Sequence, residues 1–164
     1  MTDPETKNRS VEPSGTGAGV ATAASSEVVR LAVAYNDALD RCTQTGGANI
    51  DELMDLFAED ATWVAVGVDT VVGVAGTSLV GKDSIRASFL SRTAIYQQVC
   101  ELKGIDLCCD LVVCRGERRD STFTQPGGEP QLRILLVKGG KIKQVIVVAD
   151  PEAYARMRRT GSAQ

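Results

Sequence analysis

The sequence predicts an α+β fold in which a strongly curved, mostly antiparallel sheet wraps a long N-terminal helix. Three observations predict it: an apolar stripe at helical spacing opens the ordered part of the chain, four strand-like stretches fill its second half, and glycine turns rather than helical crossovers separate the later strands. Helices first and antiparallel strands afterwards make two layers, and a sheet curled over a helix leaves a hollow at its wide end where a ligand site is expected.

Each element follows in order. Residues 1–24 combine Ser, Thr, Gly, Pro and charge with little to bury, so a disordered tail is expected there and a single domain over 25–164. From Ser26 onward Val28, Leu31, Tyr35, Ala38, Leu39 and Cys42 draw one stripe along a helix that Gly46-Gly47 ends. Asn49 with Glu52 three residues later resembles a capping box, and Ile50, Leu53, Met54 and Phe57 supply the inward face of a short second helix. A strand is expected from Thr62 to Val68, continuing past a turn near Asp69 into Val71–Val74. Gly81-Lys82-Asp83 opens a third helix carrying Ile85, Phe89 and Leu90.

Four strands are then expected, over 97–105, 110–119, 131–137 and 141–149. The PGGEP and KGG separators supply glycines for positive φ and so favour hairpins. Asp150-Pro151-Glu152 places an N-cap, a first-turn proline and an acid at the start of a short closing helix reaching about Arg158.

Composition narrows the function. With 164 residues and 43% hydrophobic content the chain fills one sizeable core. A net charge of -3 gives no basic field for a phosphate backbone and 4% aromatics give few stacking platforms, so no nucleic-acid partner is expected. No apolar run approaches the roughly 20 residues that span a bilayer, so no membrane is expected either. Five cysteines, an odd number without paired spacing, and no apolar leader fit a reducing cytoplasm. There is no histidine, which excludes Ser-His-Asp and Cys-His catalysis and removes the commonest metal ligand. Cys108-Cys109, side by side on a strand, would face opposite ways, so neither a metal nor a cofactor is expected.

Three stretches carry a likeness: Tyr35-Asn36-Asp37-Ala38-Leu39-Asp40, Leu56-Phe57-Ala58-Glu59-Asp60-Ala61-Thr62, and Val80-Gly81-Lys82-Asp83-Ser84-Ile85-Arg86. Their order resembles the nuclear transport factor 2-like superfamily, with its ketosteroid isomerases, limonene epoxide hydrolases and SnoaL-like polyketide cyclases. The likeness covers about residues 26–158 and implies the cystatin-like cone. It specifies a fold better than a function, since one fold carries many unrelated sites.

The resemblance implies a mixed set of site residues. Tyr35 falls where the isomerases place a tyrosine that donates to a developing oxyanion; the plain alternative is a core tyrosine on the buried stripe. The isomerase base is matched by Ala65, so that base is missing. Asp69 is a candidate replacement, or a solvated turn residue. Arg133 aligns near the isomerase acid; it cannot be a general acid, but its fork of donors suits a carboxylate or enolate. The alternative for Arg133 is a surface or dimer-interface position. The epoxide hydrolase pattern is absent: Val145, Val147 and Ala149 carry no acid, and the run from Arg115 to Asp120 reads as a solvated hairpin end.

The expected pocket is therefore lined by Tyr35, Trp63, Ala65, Arg133, Leu135, Val145 and Val147. Two functions are implied: an isomerase-like or cyclase-like enzyme on a carbonyl compound, with Tyr35, Arg133 and Asp69 catalytic, or a non-catalytic module that binds a small apolar or anionic molecule or dimerises. A third reading uses the tail as a tether in a larger assembly. A homodimer through the outer sheet face is expected, since Leu132 to Val137 are apolar on both faces.

Overall fold

A computed structural model of the chain describes residues 22–66, 78–93, 98–120 and 129–149. Helix α1 (Thr22–Gln44) begins four residues before Ser26, because Thr22-Ala23-Ala24 contains no breaker and simply continues the helix into the expected tail. Its stripe is buried as the spacing predicts, at Tyr35, Ala38, Leu39 and Cys42, together with Ala32 and Asn36. The helix stops where Gly46 and Gly47 take positive φ, +63° and +92°, and the Gly47 amide donates to the Cys42 carbonyl at 2.8 Å. That bond from the third residue past Gln44 back to the last turn is the Schellman pattern.

Helix α2 (Ile50–Met54) is shorter than its apolar pattern suggests. The Asn49 side chain makes no capping bond; instead Asp51 and Glu52 hold Arg86 and Arg41 at 2.5 and 2.6 Å. Phe57 is buried, but as the first residue of strand β1 (Phe57–Val66) rather than the last of the helix. The strand starts five residues earlier than expected. Glu59 and Asp60 are not a boundary: the register shifts between Phe57 and Thr62, and the two acids point outward to Lys82 and Lys143.

Strand β2 (Ser78–Val80) is a three-residue edge antiparallel to β1 that the sequence reading does not anticipate. Gly81 then turns at φ +86°, its amide donating to the Ala61 carbonyl, into helix α3 (Lys82–Thr93). Ile85 and Phe89 of α3 are buried, whereas Leu90 is 39% exposed.

Strands β3 (Gln98–Cys108), β4 (Leu111–Asp120), β5 (Glu129–Lys138) and β6 (Lys141–Ala149) form consecutive antiparallel pairs. Gly139 and Gly140, at φ +58° and +68°, make the two-residue hairpin turn between β5 and β6. Cys109 is not beside Cys108 on a strand: it occupies the β3–β4 turn at φ +55°. The six strands run in the order β2-β1-β6-β5-β4-β3, and β1 against β6 is the one parallel pair among them. Asp69, Val71–Val74, the closing helix over 151–158 and the tail over 1–21 lie outside the described residues. Among the described residues no helix is long and apolar enough to cross a membrane.

Register sets the inner face. Val112, Leu135, Val145 and Trp63 stand in one cross-sheet row, and Cys114, Arg133, Val147 and Ala65 in the next. Helix α1 lies over these rows, and Tyr35 meets Phe57 edge to face with centroids 5.8 Å apart.

Candidate functional site

The inner rows carry one charged side chain at their centre. Two-residue alternation along β5 turns Gln131, Arg133, Leu135 and Val137 inward, and Arg133 is only 2% exposed. A buried guanidinium needs acceptors, and it has two. Nε donates to Gln131 Oε1 at 3.0 Å and Nη1 to Asn36 Oδ1 at 2.5 Å. Both acceptors are neutral amides. Asn36 is fixed in turn by donating to the Ala32 carbonyl at 2.8 Å and to Cys114 Sγ at 3.6 Å. Arg133 Nη2 is buried and without a partner among the described residues.

Two more donors share that condition. Tyr35 is fully buried and its hydroxyl has no full hydrogen-bond partner among the described residues; Trp63 Nε1 is buried and in the same state. Burial pushes the Tyr35 phenol above its ordinary value, against the Arg133 charge and the Trp63 indole N–H, which pull it down. The indole N–H acts on the phenol oxygen as a donor that favours its ionised form, though the contact falls short of full hydrogen-bond geometry and neither group has another partner among the described residues. The phenol is consequently a neutral donor at neutral pH. Trp63 is held by Phe89 edge to face at 5.9 Å and by the Arg92 guanidinium 4.4 Å over its ring.

The acid nearest in role is Asp40, one turn beyond Asn36 on α1. Its Oδ1 accepts the Cys100 amide at 3.0 Å, which ties strand β3 to the helix. Burial raises its carboxyl above the ordinary carboxylate value, while the Cys100 N–H and Arg133 pull it down and Asp37 pushes it further up. Asp40 makes no ion pair with Arg133. Burial also raises the Cys100 and Cys114 thiols beside this cluster, so they stay protonated.

The expected pocket residues Tyr35, Trp63, Ala65, Arg133, Leu135, Val145 and Val147 thus share the interior, Ala65 and Val147 being half-buried. Ala65 leaves its row without an acid, and Asp69 lies outside the described residues. A groove of about 290 Å³ lies elsewhere, between α1 and the β5–β6 turn, lined by Glu27, Arg30, Leu31, Ala34, Leu56 and Gly140. The run from Arg115 to Asp120 needs correction as a solvated end. Arg115 and Arg119 do face outward, 2.9 Å from Asp106 and 3.5 Å from Glu101, but Arg118 alternates to the inner face and is buried. Among the described residues no group of three Cys, Asp or Glu could hold a metal.

Asn36, Gln131 and Asp40 escape a reading by residue type. A signal for Asn36 exists: Ala32, Asn36, Leu39 and Thr43 are spaced as one buried edge of the stripe.

The arrangement of a helix across the inner face of a mixed six-stranded sheet matches solved structures in overall fold. The chain adopts the nuclear transport factor 2-like fold. A nuclear transport factor 2-like protein of unknown function from Burkholderia pseudomallei matches at TM-score 0.65 and 13% identity, over 80% of this chain and 96% of that one. TerC co-crystallised with polyporic acid matches at TM-score 0.64 and 15% identity, over 81% and 98%. A protein with ketosteroid isomerase-like fold from Catenulispora acidiphila, in complex with trimethylamine, matches at TM-score 0.55 and 18% identity, over 71% and 82%. No protein-family model matches the chain, and no curated protein does.

Proposed function

We propose that this nuclear transport factor 2-like chain binds a small molecule at its inner face and stabilises negative charge on it. One observation carries the reading: three buried donors, the Tyr35 hydroxyl, Trp63 Nε1 and Arg133 Nη2, have no acceptor among the described residues. Buried donors are rarely left unpaired without a functional reason, and donors held in place in a dry interior are the means of stabilising an oxyanion. Neighbours of this fold co-crystallised with polyporic acid and with trimethylamine support the use of this scaffold for small molecules.

In the enzymatic form, isomerase-like or cyclase-like chemistry acts on a carbonyl compound. A base removes a proton from the carbon beside the carbonyl, the C–H electron pair moves toward the carbonyl oxygen, and Tyr35 and Arg133 hold the resulting enolate until the proton returns at another carbon. Asp69 is the candidate base. A non-catalytic binder is favoured by Ala65, which the resemblance matches to the isomerase base and which the register sets beside aliphatic Val147.

Native mass spectrometry of the protein as purified, followed by assay of the compound found, separates these forms. Tyr35→Phe and Asp69→Asn each lower turnover by about 10²-fold in the enzyme; unchanged turnover in both discards that mechanism.

The outer sheet face supports a homodimer. Val64, Ile146, Ile134 and Val113 form a cross-strand apolar row, flanked by Val66 and Leu132 at 49% and 39% exposure. A second copy buries that row in this reading, and a monomer by light scattering at micromolar concentration contradicts it.

A further inference from the structure

We infer that the ligand of the interior site is a small organic carboxylate and that Arg133 is its anchor. This rests on the small-molecule reading above and narrows it to a chemical class. The starting point is charge. Arg133 carries a guanidinium that is almost wholly buried, yet its two bonded partners, Gln131 Oε1 and Asn36 Oδ1, are neutral, and no carboxylate lies within ion-pair distance of it among the described residues. A buried cation held by neutral amides is oriented without being neutralised, and the desolvation of such a charge is repaid only by a counter-ion.

Asp40, the acid on the same helix, does not fill that role: its Oδ1 is committed to the Cys100 amide. The two amides occupy Nε and Nη1, so the free donor is Nη2. The Tyr35 hydroxyl, within the influence of that charge, supplies a second free donor, and Trp63 Nε1 beside it a third. All three free groups are donors. A carboxylate, which accepts at up to four lone-pair positions and carries the missing charge, satisfies them; a neutral apolar molecule satisfies none.

The row neighbours of Arg133 are short, Cys114 on β4 and Val147 on β6 with Ala65 beyond, and Ala65 and Val147 are half-buried.

The test uses the full chain and its single tryptophan, Trp63, as the reporter. Benzoate and the near-isosteric neutral benzamide are titrated while Trp63 emission is followed. Benzoate is expected to saturate with a Kd at least about tenfold below that of benzamide. Arg133→Met abolishes the difference. Asn36→Asp, which keeps the guanidinium but supplies an internal carboxylate, also abolishes it, so the result stands even if the first variant does not fold. Equal affinity for the two probes, or a benzoate preference that survives in either folded variant, overturns the carboxylate assignment and leaves the small-molecule site intact. Unchanged Trp63 emission with both probes to millimolar concentration overturns the site itself.

Discussion

Arg133 Nη1 on β5 and Asn36 Oδ1 on α1 are 2.5 Å apart, a buried bond between residues 97 positions distant in the chain. It fixes the guanidinium against the helix, while Nη2 of the same side chain is buried without a partner among the described residues.

Asn36→Ala removes an acceptor from a buried cation together with the bond to Cys114. Losing one partner of a buried charged hydrogen bond is expected to cost about 3 kcal/mol. Urea unfolding followed by circular dichroism measures it; a change below about 0.5 kcal/mol, typical of a surface substitution, contradicts the buried brace.

Asp40 gives a pH signature whose sign is set by its surroundings. Its folded pKa is raised above the ordinary 3.8, chiefly by burial, so the folded protein holds this proton to higher pH than the unfolded chain does. The stability from this group is complete below the unfolded value and is lost as pH rises through the folded one. Asp40→Asn keeps an oxygen for the Cys100 amide without the titrating charge. It is expected to melt above the parent at pH 7, with the gap closing toward pH 4. A variant that melts lower at every pH by a constant amount contradicts this.

Gly47 combines two constraints, and its neighbour separates them. At φ +92° an added Cβ would lie 2.8 Å from Leu90 Cδ2 and 2.9 Å from Thr93 Oγ1, whereas at Gly46, φ +63°, it would meet nothing within 4 Å. Gly46→Ala is expected to show the left-handed backbone cost alone, about 1–2 kcal/mol, and Gly47→Ala a larger loss in thermal melting. Equal losses at the two positions would remove the packing of α3 against this turn from the account.

Much of the fold was legible because its signals are local. The α1 stripe, the Gly46-Gly47 stop, the helix opening at Gly81 and the Gly139-Gly140 hairpin all follow from short-range periodicity and positive-φ chemistry. The errors arise where tertiary contacts decide. Glu59-Asp60 looked like an end but forms the solvated side of an irregular strand, and Ser78–Val80 pairs only because β1 offers it an edge. The site divides likewise. Tyr35 and Arg133 could be proposed from pattern and resemblance; Asn36 showed only in its spacing with Ala32, Leu39 and Thr43, and Gln131 not at all, since an amide on a strand reads as solvated until its distant partner is known. Arg118 was hidden in a charged run for the same reason: alternation places it inward between the outward Glu117 and Arg119.

The most direct test of the central claim is a crystal structure of the protein soaked with benzoate. The carboxylate is expected against the inner face, accepting from Arg133 Nη2 and the Tyr35 hydroxyl, with Asn36 and Gln131 unmoved. Benzoate bound only in the outer groove at Arg30, with the space beside Arg133 closed by side chains, would contradict it.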